Sequence, residues 1–557
     1  MAEAKSWQEY AAAHREVQKS AIPLKWTFDA DRLDQLRGDG RLIEGDVVRK
    51  SGLLTETELT LTENYTASDL LDKLSNQKLT SEEVTEAFCK RAALAQQLTS
   101  CLTEIFFEDG LERARWLDKQ LKETGKPVGP LHGLPISLKD SYVVSGKHAT
   151  VGYIEFLKRP VPTTNSPLVD ILLEAGAVLY CKTNLPQTMM TADSENNIFG
   201  RALNPHNTKL TAGGSTGGEG ALIAFRGSVL GVGSDIAGSI RIPSLCCGIY
   251  GFKPTADRVP FGGQSEYPFP TTHLPGVIPA GGPMATSVDD LSLFMKTVIN
   301  KRPWKYDVTA MDIPWRAVES SGSEQLVIGV PAEDPDYPLH PPVRRALESA
   351  ADALEKAGHK VVRLPADASR SAGFGSRIAF QYFGMVGPDP EAIGKEVGEP
   401  LVASVARLVH PFTKAPFPVS PEYDVPRQLS ELNDVRDAYS DAWRQTWIEN
   451  NLDVVLAPGA AHTASPHDTY GNPVYTLMWN TLNYPAGIIP YGNASKDKDP
   501  ESQEAIADFD PDYEPEVFHG APCALQVIAP RFRDEECLNA MRIIDRDIRL
   551  DKVVPHI

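Results

Sequence analysis

Helix-like segments and buried, strand-like segments alternate along most of this chain, and this alternation restricts the fold more than any other feature. In "SPLVDILLEAGAVLYCKTN", Ser166 and Pro167 predict a helix start, Gly176 predicts its end, and "AVLYC" is typical of a buried strand. The same order recurs in "HPPVRRALESAADALEKAGHKVVRLP", where one helix face is apolar: Val343, Leu347, Ala350 and Leu354. Such alternation predicts an α/β architecture, with helix layers around a sheet.

The length of 557 residues fits either several domains or one large enzyme domain. We interpret residues 1–65 as an N-terminal helical extension and residues 66–557 as one large domain. The segment 365–425 is richer in proline and glycine and less periodic, which indicates a peripheral, variable region. Within the large domain, Thr80 and Glu83 have the spacing of a capping box, and they predict the start of a long helix.

The charge balance argues against nucleic acid or an anionic membrane as a partner, because 55 basic and 74 acidic side chains give a net charge of −19. The seven cysteines form no C-x-x-C pair, and most lie in apolar surroundings, which predicts buried, reduced thiols. The N-terminal residues lack the apolar region of a signal peptide, and no run of 18 apolar residues occurs. We therefore expect a cytoplasmic protein.

Three short stretches contain candidate catalytic residues. "GPLHGLPISLKDSY" is a buried-strand pattern that ends at Lys139, although a lysine in such a place usually extends to solvent. "AGGSTGGEGALIAF" contains Ser215 in a G-x-S-x-G pattern, but the polar residues before it do not suit a nucleophile elbow. "GSDIAGSIRIPS" surrounds Ser239 with small residues that let a backbone approach a ligand closely. Each stretch alone is compatible with a purely structural role.

Other motifs give weak signals. The glycine-rich stretch around Ser215 lacks the G-K-[ST] of a phosphate-binding loop, and there is no H-E-x-x-H. His462 and His467 are five residues apart without a third ligand nearby. We expect neither a metal nor an organic cofactor, so that a chelator should leave activity intact.

Taken together and in order, the three stretches resemble those of the amidase signature family. Further blocks support the resemblance, and with the three stretches they extend from about residue 66 to residue 540: "KTNLPQTM", "NNIFGRALNP", "GFKPT", "GPMATSVDDL" and "YTLMWNTLNYPAGIIP". The N-terminal "SWQEYAAAHREVQKSAIPLKW" looks most like the acetamidase-type branch. The resemblance implies an amidase signature fold: a large mixed β-sheet covered by helices on both faces, in an α/β/α sandwich.

The resemblance also assigns catalytic roles. It implies that Ser239 is the nucleophile, Ser215 is a bridging serine on a cis peptide, and Lys139 is the terminal base. A serine is a weak nucleophile at neutral pH and needs a base, and lysine can be that base only when it is neutral. At an unperturbed pKa of about 10.4, roughly one lysine in a few thousand is neutral at pH 7, but burial can lower that pKa by several units.

Around the nucleophile, the resemblance implies an oxyanion hole made of backbone N–H groups: those of Ile236, Ala237, Gly238 and Ser239. It further implies that the Met189 carbonyl contacts the substrate amide, and that Asp235 and Arg241 brace the oxyanion loop. This sequence has Ala237 and Thr216 where family members commonly have glycine and often have serine. An extra methyl at residue 237 is tolerable if its φ is negative, and Thr216 retains a hydroxyl.

The function that follows is hydrolysis of a carboxylic amide to an acid and ammonia, through an acyl-enzyme on Ser239. Two alternatives remain: an esterase or peptidase with a Ser-His-Asp triad on Ser215, and the amide-transferring subunit of a tRNA-dependent amidotransferase. The expected partner is a small-molecule amide, and a homodimer is left open. The sequence does not name the amide, because the acyl pocket draws on the 365–425 segment and on "YTLMWNTLNYP", with Phe380, Tyr475 and Trp479 as candidates.

Overall fold

The main element of the fold is one mixed sheet of eleven strands. The computed structural model describes residues 5–265, 276–318, 325–386, 390–407, 417–507 and 510–550. Two further short strands form a separate ladder. The strands, in chain order, are β1 Leu102–Ile105, β2 Pro135–Lys139, β3 Val178–Thr183, β4 Glu195–Asn196, β5 Gly200–Arg201, β6 Leu230–Asp235, β7 Tyr250–Lys253, β8 Ala280–Ala285, β9 Val327–Pro331, β10 Lys360–Leu364, β11 Val454–Pro458, β12 Ala486–Asn493 and β13 Pro522–Ile528.

The helices lie before, between and after these strands. The first ten are α1 Trp7–Ser20, α2 Ala30–Arg37, α3 Val47–Ser51, α4 Glu56–Glu63, α5 Ala67–Ser75, α6 Ser81–Thr99, α7 Phe107–Thr124, α8 Ile154–Leu157, α9 Pro167–Glu174 and α10 Gly217–Ala224. The others are α11 Arg241–Cys247, α12 Val288–Asn300, α13 Pro341–Lys356, α14 Ala372–Val386, α15 Pro390–Gly394, α16 Ala403–Ala406, α17 Val425–Asn450, α18 Val474–Thr481, α19 Pro515–Phe518 and α20 Asp534–Asp547.

The strand order in the large sheet is β1-β3-β2-β6-β8-β7-β12-β13-β11-β9-β10. The neighbours β3, β2 and β6 are parallel, and so are β11, β9 and β10, whereas the strands between these two groups pair antiparallel. Every residue of β2, β3, β6, β8 and β11 is buried, so both faces of the sheet are covered there. This is the predicted α/β architecture.

Predicted helix boundaries agree with the structure where capping chemistry is strong. The helix α6 follows Thr80, whose side chain accepts from Glu83 N, and the Glu83 side chain accepts from Thr80 N in return. The helix α9 begins at Pro167, and the chain then turns at Gly176, whose φ is +93°. The apolar face of α13 is buried as predicted. Local sequence therefore determines these ends.

Residues 5–65 contain four α-helices that pack on the large domain. Gln18 Nε2 donates to the backbone carbonyls of Leu102 and Thr103, and the amide of Leu42 donates to Pro205 O. Trp26 and Leu42 are buried. The N-terminal extension is therefore attached to the sheet through both hydrogen bonds and apolar contacts.

The segment 365–425 contains α14, a helix that the sequence pattern did not reveal. Ser376 Oγ of α14 donates to Val474 O, and Thr481 Oγ1 of α18 donates to Gly375 O. Parts of the segment, 387–389 and 408–416, lie outside the described residues. The buried positions of α14, such as Ile378 and Tyr382, belong to the main core.

All seven cysteines are buried and free, as the apolar surroundings predicted. Within the described ranges, no helix combines the length and the apolar character that crossing a membrane requires.

Candidate active site

The site lies at the carboxyl ends of β2 and β6, which are adjacent and parallel, so both strands end at the same edge of the sheet. Lys139 is the last residue of β2, and Ser239 lies between the end of β6 and the start of α11. Ser215 lies two residues before α10 begins at Gly217. The carboxyl end of parallel strands is where open α/β sheets usually place their ligand sites.

The Lys139 amine connects two serines. Its Nζ lies 2.7 Å from Ser215 Oγ and 2.9 Å from Ser234 Oγ, and the lysine side chain is fully buried. Ser234 was not among the predicted site residues, although it stands in the quoted stretch "GSDIAGSIRIPS". The alternation of side chains along β6 does not indicate that Ser234 contacts Lys139, because only the tertiary structure shows which strand lies beside β2.

Burial lowers the pKa of Lys139 to about 7. The carboxylates of Asp235 and Asp140 act in the opposite direction, but desolvation of the ammonium form is the larger effect. A substantial fraction of the amine is therefore neutral near neutral pH, which an exposed lysine does not achieve.

Ser215 follows a cis peptide bond with Gly214. The backbone of residues 191 and 192 packs directly against Gly214: a Cβ there would overlap Thr191 O and would lie 2.9 Å from Ala192 Cα. Glycine is therefore required by the close approach of these two backbone segments.

Ser239 is joined to the Ser215 segment through the backbone. The amide of Thr216 donates to Ser239 O at 3.2 Å. Among the hydrogen bonds of the described residues, none joins the two hydroxyl groups of Ser215 and Ser239, and none joins either serine to a histidine. The structure thus brings Lys139 and Ser215 into direct contact and holds Ser239 beside them.

The loop from residue 236 to residue 240, called the Asp235 loop below, wraps around the buried carboxylate of Asp235. The backbone amides of Gly238 and Ile240 donate to Asp235 at 2.8 and 3.1 Å, and Arg241 donates to it through Nε and Nη2 at 3.0 and 2.9 Å. Burial by itself raises the pKa of Asp235, but the Arg241 guanidinium overrides this effect and holds that pKa well below its usual range. An ionised Asp235 therefore fixes the loop conformation.

The helix α18 supports the same loop from the other side. Arg241 donates to Thr476 O and to Asn480 Oδ1, and Asn480 Nδ2 donates to Asp235. Thr476 Oγ1 donates to Ala237 O at 2.7 Å. The block "YTLMWNTLNYP" thus reaches the loop through two residues one helical turn apart, and no local sequence signal indicates that contact.

The four predicted oxyanion amides are not equivalent in this structure. The Gly238 amide points at Asp235, which leaves the amides of Ile236, Ala237 and Ser239 as the candidates. Ala237 is outside the left-handed region, so its methyl group causes no backbone strain. Gly238 has a φ of +129°, and a Cβ there would overlap Thr476 Oγ1.

Met189 ends a short 3₁₀ turn, Gln187–Met189, and has a φ of +60°. The chain then continues directly to Thr191 and Ala192, which pack on Gly214. The segment that contains Met189 therefore lies close to the Gly214–Ser215 cis peptide. Thr191 and Ala192 also line a cavity of about 550 Å³, together with Phe380, Tyr470 and Pro473 among others.

Two of the aromatic pocket candidates lie elsewhere. Tyr475 and Trp479 line a different cavity of about 310 Å³, at the carboxyl ends of β9, β10 and β11. They lie on α18 directly before Thr476 and Asn480, so the two pairs of side chains point in directions roughly 100° apart around the helix axis. Of the three candidates, Phe380 alone lines the cavity next to Gly214.

Known proteins match this chain over most of its length. The model of the family described as "Amidase" matches residues 83–538, and the chain belongs to that amidase signature family. It is 39% identical over 542 residues to an amidase of Gibberella moniliformis, an alignment that covers 97% of this chain and 98% of that protein. It is 38% identical over 548 residues to an acetamidase of Emericella nidulans, with 96% of each chain covered.

A solved structure described as fatty acid amide hydrolase matches the fold with a TM-score of 0.86 at 31% identity, over 98% of this chain and 96% of that one. The chain is thus an amidase of the amidase signature family, as its sequence blocks indicated.

Proposed function

We propose that this amidase hydrolyses its substrate through an acyl-enzyme on Ser239, with Ser215 and Lys139 as a proton relay. The observation that carries the proposal is the 2.7 Å contact between Lys139 Nζ and Ser215 Oγ at a fully buried amine. A neutral amine has one lone pair and two N–H groups. Donation of an N–H to Ser234 Oγ would aim the lone pair at Ser215, which makes Ser234 a positioning residue in the proposal.

In the acylation half-reaction, Ser239 Oγ attacks the amide carbonyl carbon as its proton moves to Ser215 Oγ. The proton of Ser215 moves at the same time to Lys139 Nζ. The carbonyl electron pair moves to oxygen, where backbone amides of the Asp235 loop would stabilise the negative charge. Collapse of this intermediate breaks the C–N bond, and the relay returns its proton to the leaving nitrogen, which departs as ammonia from a primary amide.

In the deacylation half-reaction, water attacks the ester carbonyl and gives its proton to the same relay. The C–O bond to Ser239 breaks, the serine regains its proton, and the carboxylic acid leaves. Atoms and charge balance without a metal or an organic cofactor. The same Lys139 acts first as base and then as acid, which requires a pKa near the working pH.

The two alternatives differ from this proposal in testable ways. An esterase with Ser215 as nucleophile needs a histidine in contact with it, and no described histidine makes that contact. An amide-transferring subunit would need partner proteins, RNA and ATP. Release of ammonia from a simple amide by the purified chain alone would support the amidase and oppose the transferase.

The acyl group would bind in the cavity of about 550 Å³ next to Gly214. A panel of amides from acetamide through aryl amides to long-chain amides, with ammonia release as the measurement, tests this assignment. If the cavity holds the acyl group, enlarging it by Phe380→Ala should shift the preference towards bulkier acids. An unchanged preference order would contradict the assignment.

The Asp235 loop should tolerate no side chain at residue 238. In Gly238→Ala, the new methyl group overlaps Thr476 Oγ1, so the loop must move and the oxyanion amides move with it. Since loss of one oxyanion donor typically costs about 100-fold or more in kcat, we expect a fall of that size, measured by steady-state ammonia release. Gly358→Ala is the matched control, because Gly358 also has a positive φ, +97°, but has open space around its Cβ position. Equal losses in the two variants would contradict a loop-specific effect.

A further inference from the structure

A buried carboxyl group lies between the strand of Lys139 and the helix that follows Ser215, and the proposed mechanism does not use it. Glu219 is in the first turn of α10 and is completely buried. One carboxyl oxygen contacts Ser137 Oγ of β2, and the other lies 2.8 Å from Thr183 Oγ1 of β3. Glu219 thus connects α10 with both strands.

The sheet is shaped to admit this carboxyl group. Gly231 of β6 pairs with Ser137 of β2, and a Cβ at Gly231 would overlap Glu219 Oε1. Ser137 and Lys139 are alternate residues of β2, so their side chains project from the same face of the sheet. The contact between Glu219 and Ser137 therefore lies on the same face of the sheet as the Lys139 amine, two residues nearer the start of β2.

The hydrogen-bond chain around Ser137 determines which group holds each proton. Ser228 Oγ lies 3.0 Å from Leu230 O and also contacts the Tyr180 hydroxyl, whose own proton goes to Gly227 O, so both neighbours of Ser228 accept and Ser228 donates its proton to one of them. Ser137 Oγ lies 2.8 Å from Ser228 Oγ, and Ser137 must be the donor in that contact. Its only proton is then used, so the contact between Ser137 and Glu219 needs a proton from the carboxyl group.

The surroundings of Glu219 agree with a protonated acid. No described lysine, arginine or histidine forms an ion pair with it, and burial raises its pKa to about 7. The other titratable groups that face it are Tyr180, Cys101 and Cys181, and burial raises their pKa values too. They therefore remain neutral and provide no cation to balance a carboxylate.

We propose that Glu219 is a positioning residue that works as a neutral carboxylic acid and holds the Lys139 strand against the helix that follows Ser215. This inference rests on the proposed Ser239–Ser215–Lys139 relay for its catalytic consequence. An ionised carboxylate on this face would favour the ammonium form of Lys139, so protonation of Glu219 keeps the amine available as a base.

The first test compares two replacements of Glu219. Glu219→Gln keeps the shape, because its NH₂ can donate to Ser137 while its oxygen accepts from Thr183, and it should retain kcat within about threefold. Glu219→Ala removes the link, and misplacement of the relay should lower kcat by about 100-fold while KM changes little. Equal loss in both variants would show that a carboxylate is needed and would overturn the proposal.

The second test changes the proton count without touching Glu219. In Ser228→Ala, Ser137 becomes free to donate to Glu219, so ionisation of the carboxyl group becomes easier. The acid limb of the kcat/KM profile should then move to higher pH, and the double variant Ser228→Ala/Glu219→Gln should restore it, because an amide cannot ionise. A shift that persists in the double variant, or no shift in Ser228→Ala, would contradict the proposal.

Infrared difference spectroscopy of the wild type against Glu219→Gln reads the protonation state directly, without turnover. A carboxylic acid C=O band at neutral pH supports the inference, and a carboxylate band in its place overturns it. Because this measurement does not depend on Ser239, it separates failure of the Glu219 inference from failure of the proposed relay. Thermal melting of each variant shows whether a loss of activity reflects unfolding.

Discussion

Ser239→Ala should lose both turnover and covalent labelling by a fluorophosphonate probe. The probe reacts with an activated serine hydroxyl, and in our mechanism Ser239 Oγ is the only atom that forms the acyl bond. We expect kcat to fall by about 10³-fold or more, since removal of a catalytic nucleophile leaves only binding and oxyanion stabilisation. Ammonia release and gel-based detection of the probe are the two measurements.

Ser215→Ala is the informative comparison for this prediction. It leaves the Ser239 hydroxyl in place but removes the group through which the proton reaches Lys139, so labelling should be slow and not absent. The Asp235 loop should survive both changes, because its contacts run through Arg241 and α18. If labelling persists in Ser239→Ala and vanishes only in Ser215→Ala, the nucleophile is Ser215 and the relay is wrong.

Lys139→Met should cut kcat by several orders of magnitude without unfolding the protein. Methionine fills the volume of the buried side chain, and it removes an amine whose charged form is strongly desolvated. Lys139→Arg should be no more active, because a guanidinium does not release its proton near neutral pH. A Lys139→Arg enzyme with near-normal turnover on a small amide would contradict the role of Lys139 as base.

The pH dependence of the wild-type enzyme follows from the same pKa. The base is active when neutral, so kcat/KM should rise as the pH rises through about 7 and should stay high into the alkaline range. The unfolding free energy gives an independent measurement. Since folding lowers the pKa of Lys139 from 10.5 to about 7, this group makes the protein less stable as the pH falls between those values. In Lys139→Met, the unfolding free energy should lack this pH-dependent contribution. Denaturation of the variant and of the wild type over the same pH range measures the difference.

Several elements were predictable because their information is local. The capping box at Thr80, the proline start of α9 and the turn at Gly176 depend on side chains within a few residues. The apolar residues of α13 recur at helical spacing, and this local pattern likewise predicts which face of the helix is buried. The helix α14 was not predictable in this way, because its burial comes from contact with α18, which is distant in sequence.

The sequence by itself determined the family, the α/β class and the candidate residues Lys139, Ser215 and Ser239, because these depend on ordered motifs along the chain. Only the tertiary structure decided three contacts: Ser234 with the Lys139 amine, the Gly238 amide donating to Asp235, and Glu219 with Ser137 on the strand of Lys139. The physical reason is that pKa values and proton positions depend on which groups surround a buried atom. Those neighbours come from strands and helices that the chain order does not place side by side.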